Sequence, residues 1–187
     1  MTRQKRSQPS SGLEGRHQNV GRPMSATGLK VFDKTLQTTN IWLEEITEVL
    51  GPDRQLAWKA LSVVLHKLRD RMPLELSAHL AAALPLLVRG AYFDQFEPAK
   101  QPTNWDREAF VKEVSRWMSD SRPVDPNDAI RAVFTVLSRH VPRGQIEKVQ
   151  HALPEDLRSF WISAEERAVG PPEPARCAEA HDSQTTD

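Results

Sequence analysis

His66 and Asp70 are spaced like two members of a metal site, since four residues on a helix bring an imidazole and a carboxylate onto one side. Two ligands do not make a site, and Lys67, Arg69 and Arg71 crowd the same stretch with positive charge that opposes a cation. A solvated helix face is the reading of this segment. His79, His140 and His151 show no ligand-type spacing with one another. Nucleophilic catalysis finds no support either, because Gly-x-Ser-x-Gly is absent and the single thiol, Cys177, lies far from any base that would hold it as a thiolate. Gly51, Gly90 and Gly144 are isolated and open no phosphate cradle. The carboxylate pairs Glu44-Glu45 and Glu155-Asp156 are sequence neighbours, so on a helix they diverge by about 100°. No catalytic residue, cofactor ligand or metal ligand is therefore expected.

Two polar or aromatic features stand out from that background. Arg89 and Arg158 each follow a proline by four residues, and such a pair could grip a phosphate or carboxylate with forked donors. The plainer reading is that each guanidinium stitches its helix to a nearby carboxylate or to carbonyl ends. Tyr92, Phe93 and Phe96 run straight into a loop and form a candidate interaction surface. Trp42, Trp105, Trp117, Phe160 and Trp161 read mostly as core.

The elements that must carry these residues are helical and come twice. Ala57, Ala60, Leu61, Val64 and Leu65 are matched in order and spacing by Ala129, Ala132, Val133, Val136 and Leu137. Ala83-Leu84-Pro85 with Val88-Arg89 returns as Ala152-Leu153-Pro154 with Leu157-Arg158. The repeat is roughly 70 residues, longer than a solenoid unit of 20 to 50, and reads as a duplicated helical subdomain. Asp53 and Asp125-Pro126 mark helix starts, while Pro73, Pro85, Pro142 and Pro154 mark breaks. The expectation is all-α: two tandem repeats of about four helices, 35–96 and 105–162, fused into one compact domain over 30–162. Opening helices are expected over about 38–50 and 106–118, and closing helices to about Phe93 and Trp161.

Beyond that body, 1–29 and 163–187 are Ser-, Gly-, Pro- and Gln-rich and read as disordered tails, the first basic and the second acidic. One cysteine excludes an internal disulfide and fits a cytoplasmic setting. No apolar run approaches the roughly 20 residues of a membrane span.

The runs TGLKVFDKTLQTTNIWLEEI, DRQLAWKALSVVLHKLRDRMP, LPLLVRGAYF and RAVFTVLSRHVPRGQIEKVQHALPEDLRSFW closely resemble the bacterial family known as domain of unknown function 2267, over about Thr27 to Trp161. The resemblance implies an all-helical fold and a bacterial origin, with no activity, cofactor or site residue to carry over. Family chains commonly begin near the segment that here starts at Met24, so translation from Met24 and from Met1 stand as alternatives. The functional expectation is a non-enzymatic interaction or regulatory module binding an unidentified protein or a second copy of itself. The alternative is a nucleic-acid or ribonucleoprotein binder using the basic N-terminal arm. Less favoured is an enzyme whose site assembles only in three dimensions.

Overall fold

Backbone hydrogen bonding and apolar periodicity combine in a computed structural model that describes residues 28–168 and, past 161, only the backbone. Eight helices follow one another: α1 Lys30–Leu50, α2 Arg54–Arg71, α3 Leu74–Ala83, α4 Leu86–Phe93, α5 Arg107–Met118, α6 Pro126–His140, α7 Arg143–Ala152 and α8 Glu155–Ala168. A 3-10 turn, Pro98–Lys100, interrupts the link between α4 and α5. Among the described residues there is no strand, and no helix is long and apolar enough to cross a membrane.

The helix starts have legible causes. The Asp53 carboxylate accepts from the backbone N–H of Gln55 and Leu56 at 2.9 and 3.0 Å, satisfying two of the donors that a helix leaves open at its beginning. Asp125 caps α6 through one such donor, accepting from the Asn127 N–H and also from the Asn127 side-chain amide, both at 2.8 Å. Those two bonds hold its carboxyl below the usual carboxylate range. Pro73, Pro85 and Pro142 stand just ahead of α3, α4 and α7 in extended geometry and start each without a side-chain cap.

Two boundaries differ from expectation. The first helix begins at Lys30, not near Thr38. Its threonine-rich run stays helical because Thr38 and Thr39 return their hydroxyls to the carbonyls of Lys34 and Thr35, at 2.9 and 2.7 Å, and so do not compete with the helix ladder. The last helix runs to Ala168, so 163–168 belongs to α8 and not to a tail. The remaining tail expectations, 1–27 and 169–187, lie outside the described residues.

A single hydrophobic cluster draws on every helix described, with Trp42, Ile46, Leu61, Leu65 and Tyr92 meeting Phe110, Phe134, Phe160 and Trp161. Trp161 stacks on Phe134 with ring centroids 4.1 Å apart and donates to the Ser138 hydroxyl at 2.7 Å, so its polar edge is not left bare. Full burial of such side chains contributes about 1.5–3 kcal/mol each. α2 lies centrally, packed against α1, α4, α5 and α6. That position sets the site chemistry.

Candidate functional site

The two arginines singled out from sequence are placed alike, each reaching back to the end of the preceding helix. Arg89 donates to the carbonyls of Ala82 and Leu84 at 2.9 and 3.1 Å, and Arg158 donates through Nε to the Leu153 carbonyl at 2.9 Å. These acceptors are the helix-end carbonyls that α3 and α7 leave without internal partners. Both guanidinium groups therefore clasp one helix to the next.

The aromatic tract divides. Tyr92 is fully buried, its hydroxyl 2.7 Å from that of Ser77 and donating to the Ser77 carbonyl at 3.1 Å, so it is core and not part of a surface. Val88 and Tyr92 share one helix face, and that spacing carries the core period into the tract. Burial pushes the Tyr92 phenol up to about 12. Phe93 is exposed and Phe96 half-buried, with edge-on contacts linking the three rings. Trp117, expected in the core, is exposed on α5.

The charged stretch of α2 is not a solvated face. Lys67 and Arg69 are buried, at 6% and 2% exposure, and His66 and Asp70 half-buried. The His66 Nε2 lies 2.6 Å from the Ala91 carbonyl, which fixes Nε2 as the protonated nitrogen, and burial holds the imidazole below its ordinary pKa. Arg69 donates to the Tyr92 carbonyl, to the Asp94 carbonyl at 3.0 Å and to the Asp70 carboxylate at 2.8 Å. The link between α4 and α5 is tied down in return. Gln101 donates to the Arg69 carbonyl, the Thr103 N–H donates to the Asp70 carbonyl at 2.8 Å, and Arg71 donates to the Trp105 carbonyl at 2.8 Å. His66 and Asp70 are thus committed elsewhere, and no group of three metal-ligating side chains occurs among the described residues.

Lys67 occupies a different situation. Its ammonium stands over the Trp117 ring at 4.5 Å and the Trp105 ring at 5.4 Å, with the nearest Glu113 oxygen at 3.6 Å. Arg116 already takes that same oxygen at 2.8 Å, which together with Lys67 holds the Glu113 carboxyl below its ordinary range. Burial lowers the Lys67 pKa, a push that Glu113 and Asp70 partly offset. These groups surround a cavity of about 260 Å³ roofed by the α4–α5 link.

The segment from Thr39 to Phe160 matches the family described as uncharacterized conserved protein (DUF2267). The chain belongs to this family. No curated protein matches it. The DUF2267 match takes in α2, the α4–α5 link and α5, and so the whole Lys67 cavity, while the first turns of α1 precede it.

Those first turns carry the second feature of this DUF2267 chain. Phe32, Leu36, Thr39, Leu43, Ile46 and Leu50 follow one another at three- and four-residue steps, the spacing of one helix stripe. From Thr39 onward the stripe is buried, but Phe32 and Leu36 are 44% and 39% exposed. Beside them the Leu87 N–H donates to the Thr35 hydroxyl at 3.0 Å, which sets the exposed Leu86 and Leu87 of α4 against α1. Val31 and Leu86 line a groove of about 440 Å³ that reaches Trp42 and His140. His140 stacks on Trp42 and meets Glu45 at 2.6 Å, so that histidine also has structural partners. His79 is exposed, and His151 lies 2.6 Å from the Glu147 carbonyl of its own helix. Neither the cavity nor the bare stripe is legible in sequence. Lys67 finds its partners in segments far along the chain, and the bareness of Phe32 depends on where the body beneath α1 ends.

Proposed function

We propose that this chain is a non-enzymatic helical interaction module whose primary contact is a second copy of itself, made through the bare half of the α1 stripe. One observation carries the reading: the stripe that is buried from Thr39 to Leu50 continues toward the start of α1 as Phe32 and Leu36, apolar side chains left exposed. α1 packs against α6 and α2, so a second helix laid on the exposed part of its stripe would extend existing helix–helix packing. Leu86 and Leu87 widen the apolar area, with Thr35, Gln37 and Asn40 beside it and Asp33 and Lys34 at its border. The formal net charge of zero adds no long-range repulsion between copies.

The eight helices support a further part of this reading, that the halves are copies of one four-helix unit. Asp53 and Asp125 cap the second helix of each set, and Arg89 and Arg158 clasp the last. A cytoplasmic, bacterial setting belongs to the same reading. The nucleic-acid alternative rests on basic residues ahead of Gly28 and gains no support from α1 to α8.

Sedimentation velocity of the full chain tests self-association. A patch this small favours a weak dimer, with a dissociation constant of about 100 µM. Phe32→Glu with Leu36→Glu should raise that constant at least about tenfold by burying two carboxylates in the seam, while helical circular dichroism stays unchanged. A wild-type chain still monomeric at about 1 mM, or variants that dimerise as well as wild type, would remove the reading.

A further inference from the structure

The Lys67 cavity has an electrostatic remainder. Four cations line it, Lys67, Arg69, Lys100 and Arg116, against three carboxylates, Asp70, Glu97 and Glu113. Each carboxylate has a close cation of its own: Arg69 at 2.8 Å from Asp70, Lys100 at 2.6 Å from Glu97 and Arg116 at 2.8 Å from Glu113. His66 adds no charge while its pKa stays depressed. Lys67 has only the more distant share of Glu113, at 3.6 Å behind Arg116, so the lining carries one cation more than carboxylates.

It is also short of acceptors. An ammonium carries three donors, and its ion-pair partner Glu113 stands at 3.6 Å, beyond hydrogen-bond length. Two tryptophan faces soften the cost through cation–π attraction but accept no ordinary hydrogen bond. A buried charge in this condition is costly unless a partner completes it. Thr103, also in the lining, offers a second incomplete group, since its Oγ is buried without a hydrogen-bond partner.

We infer that this cavity is a binding site for a small organic monocarboxylate, its carboxylate on Lys67 Nζ and Thr103 Oγ and its apolar body against Trp117. The single surplus charge selects a monoanion. A phosphate dianion would bring a second negative charge toward Asp70, Glu97 and Glu113 with no cation to receive it. About 260 Å³ suits a ligand smaller than the usual drug-sized occupant of roughly 300–1,000 Å³. Exposed Gln95, Glu97, Lys100 and Trp117 form the rim, so the cavity opens to solvent over a buried floor of Lys67 and Arg69. This site is separate from the α1 stripe and stands whether or not the chain self-associates.

Benzoate serves as the probe, followed on the full chain by the indole N–H resonances of Trp105 and Trp117, assigned with Trp105→Phe and Trp117→Phe. Saturable shifts of the Trp105 and Trp117 signals are expected with a dissociation constant of about 1 mM, reasonable for so small a ligand. Benzamide, equal in shape and uncharged, should bind at least about tenfold more weakly, as should inorganic phosphate. Lys67→Met keeps the apolar stem and should abolish saturation. Glu113→Gln removes the nearest competing carboxylate, leaves Lys67 in place and should tighten benzoate binding about threefold or more. That second variant carries the test if Lys67→Met does not fold. No saturation by about twenty times the expected constant, benzamide or phosphate binding as tightly as benzoate, unchanged binding in a folded Lys67→Met, or unchanged or weaker binding in Glu113→Gln would each overturn the assignment.

Discussion

The carboxyl-terminal ends of α2 and α6 face the same packing problem and solve it with opposite chemistry. α6 buries Val133, Phe134, Val136 and Leu137, then Val141 just beyond its end; the buried Thr135 returns its hydroxyl to the Arg131 carbonyl, Ser138 receives the Trp161 indole, and the charged Arg139 and His140 stay less buried, against Glu45. α2 buries Lys67 and Arg69. The difference lies in the segments packed around each helix end. Around α2 the α4–α5 link supplies carbonyls at Tyr92 and Asp94, and α5 supplies Glu113 and Trp117. At the end of α6 the acceptor is the Glu45 carboxylate, already taken by Arg139 and His140. Buried charge in this molecule thus tracks the acceptors, and helix pattern alone does not reveal it.

Putting a charge where the acceptors are missing should break that comparison most severely. Val141→Arg buries an unpaired guanidinium and should cost more than about 4 kcal/mol, read as loss of the cooperative unfolding transition in denaturant. The converse change should cost somewhat less. Arg69→Met strands the Tyr92 and Asp94 carbonyls and should lower stability by about 3 kcal/mol in the same measurement.

Tyr92, the sole tyrosine, sharpens the comparison through pH. Its phenol ionises at about 12 when folded against 10.0 otherwise, so its contribution is fully present below pH 10 and is lost as pH climbs toward 12. That loss is worth ~2 kcal/mol, and phenolate absorbance should titrate near 12 in the folded chain and near 10 in denaturant. A phenolate appearing near 10 in the folded state would contradict the burial of this side chain. The capping aspartates should show the smallest effect. Asp53→Ala is expected to cost about 1 kcal/mol and Asp125→Ala slightly less, because Asp53 accepts from two backbone donors and Asp125 from one.

How much of this is legible in sequence depends on the range of each interaction. Caps and proline breaks act within a turn or two, so Asp53, Asp125, Pro73 and Pro142 announce their helices directly. Arg89 and Arg158 reach back only to the end of the preceding helix, and their clasping role is accordingly among the readings their spacing offers. Lys67 reads as part of a solvated face because Trp105, Glu113 and Trp117 come to it from far along the chain. Tyr92 reads as surface only when its nearness to a loop is given more weight than its helical spacing from Val88. The exposure of Phe32 and Leu36 is a property of the shape beneath them, and no local pattern encodes it.

The tie between the α4–α5 link and α2 has a consequence for synthesis. The chain emerges from its amino-terminal end, so α1 to α4 leave the ribosome before Trp105, Glu113 and Trp117 exist to receive Lys67. For that interval the end of α2 carries an ammonium without its carboxylate and its tryptophan faces, and the nascent first half holds its most awkward charge in the open. Completion of α5 closes it, which makes the second half the chaperone of the first.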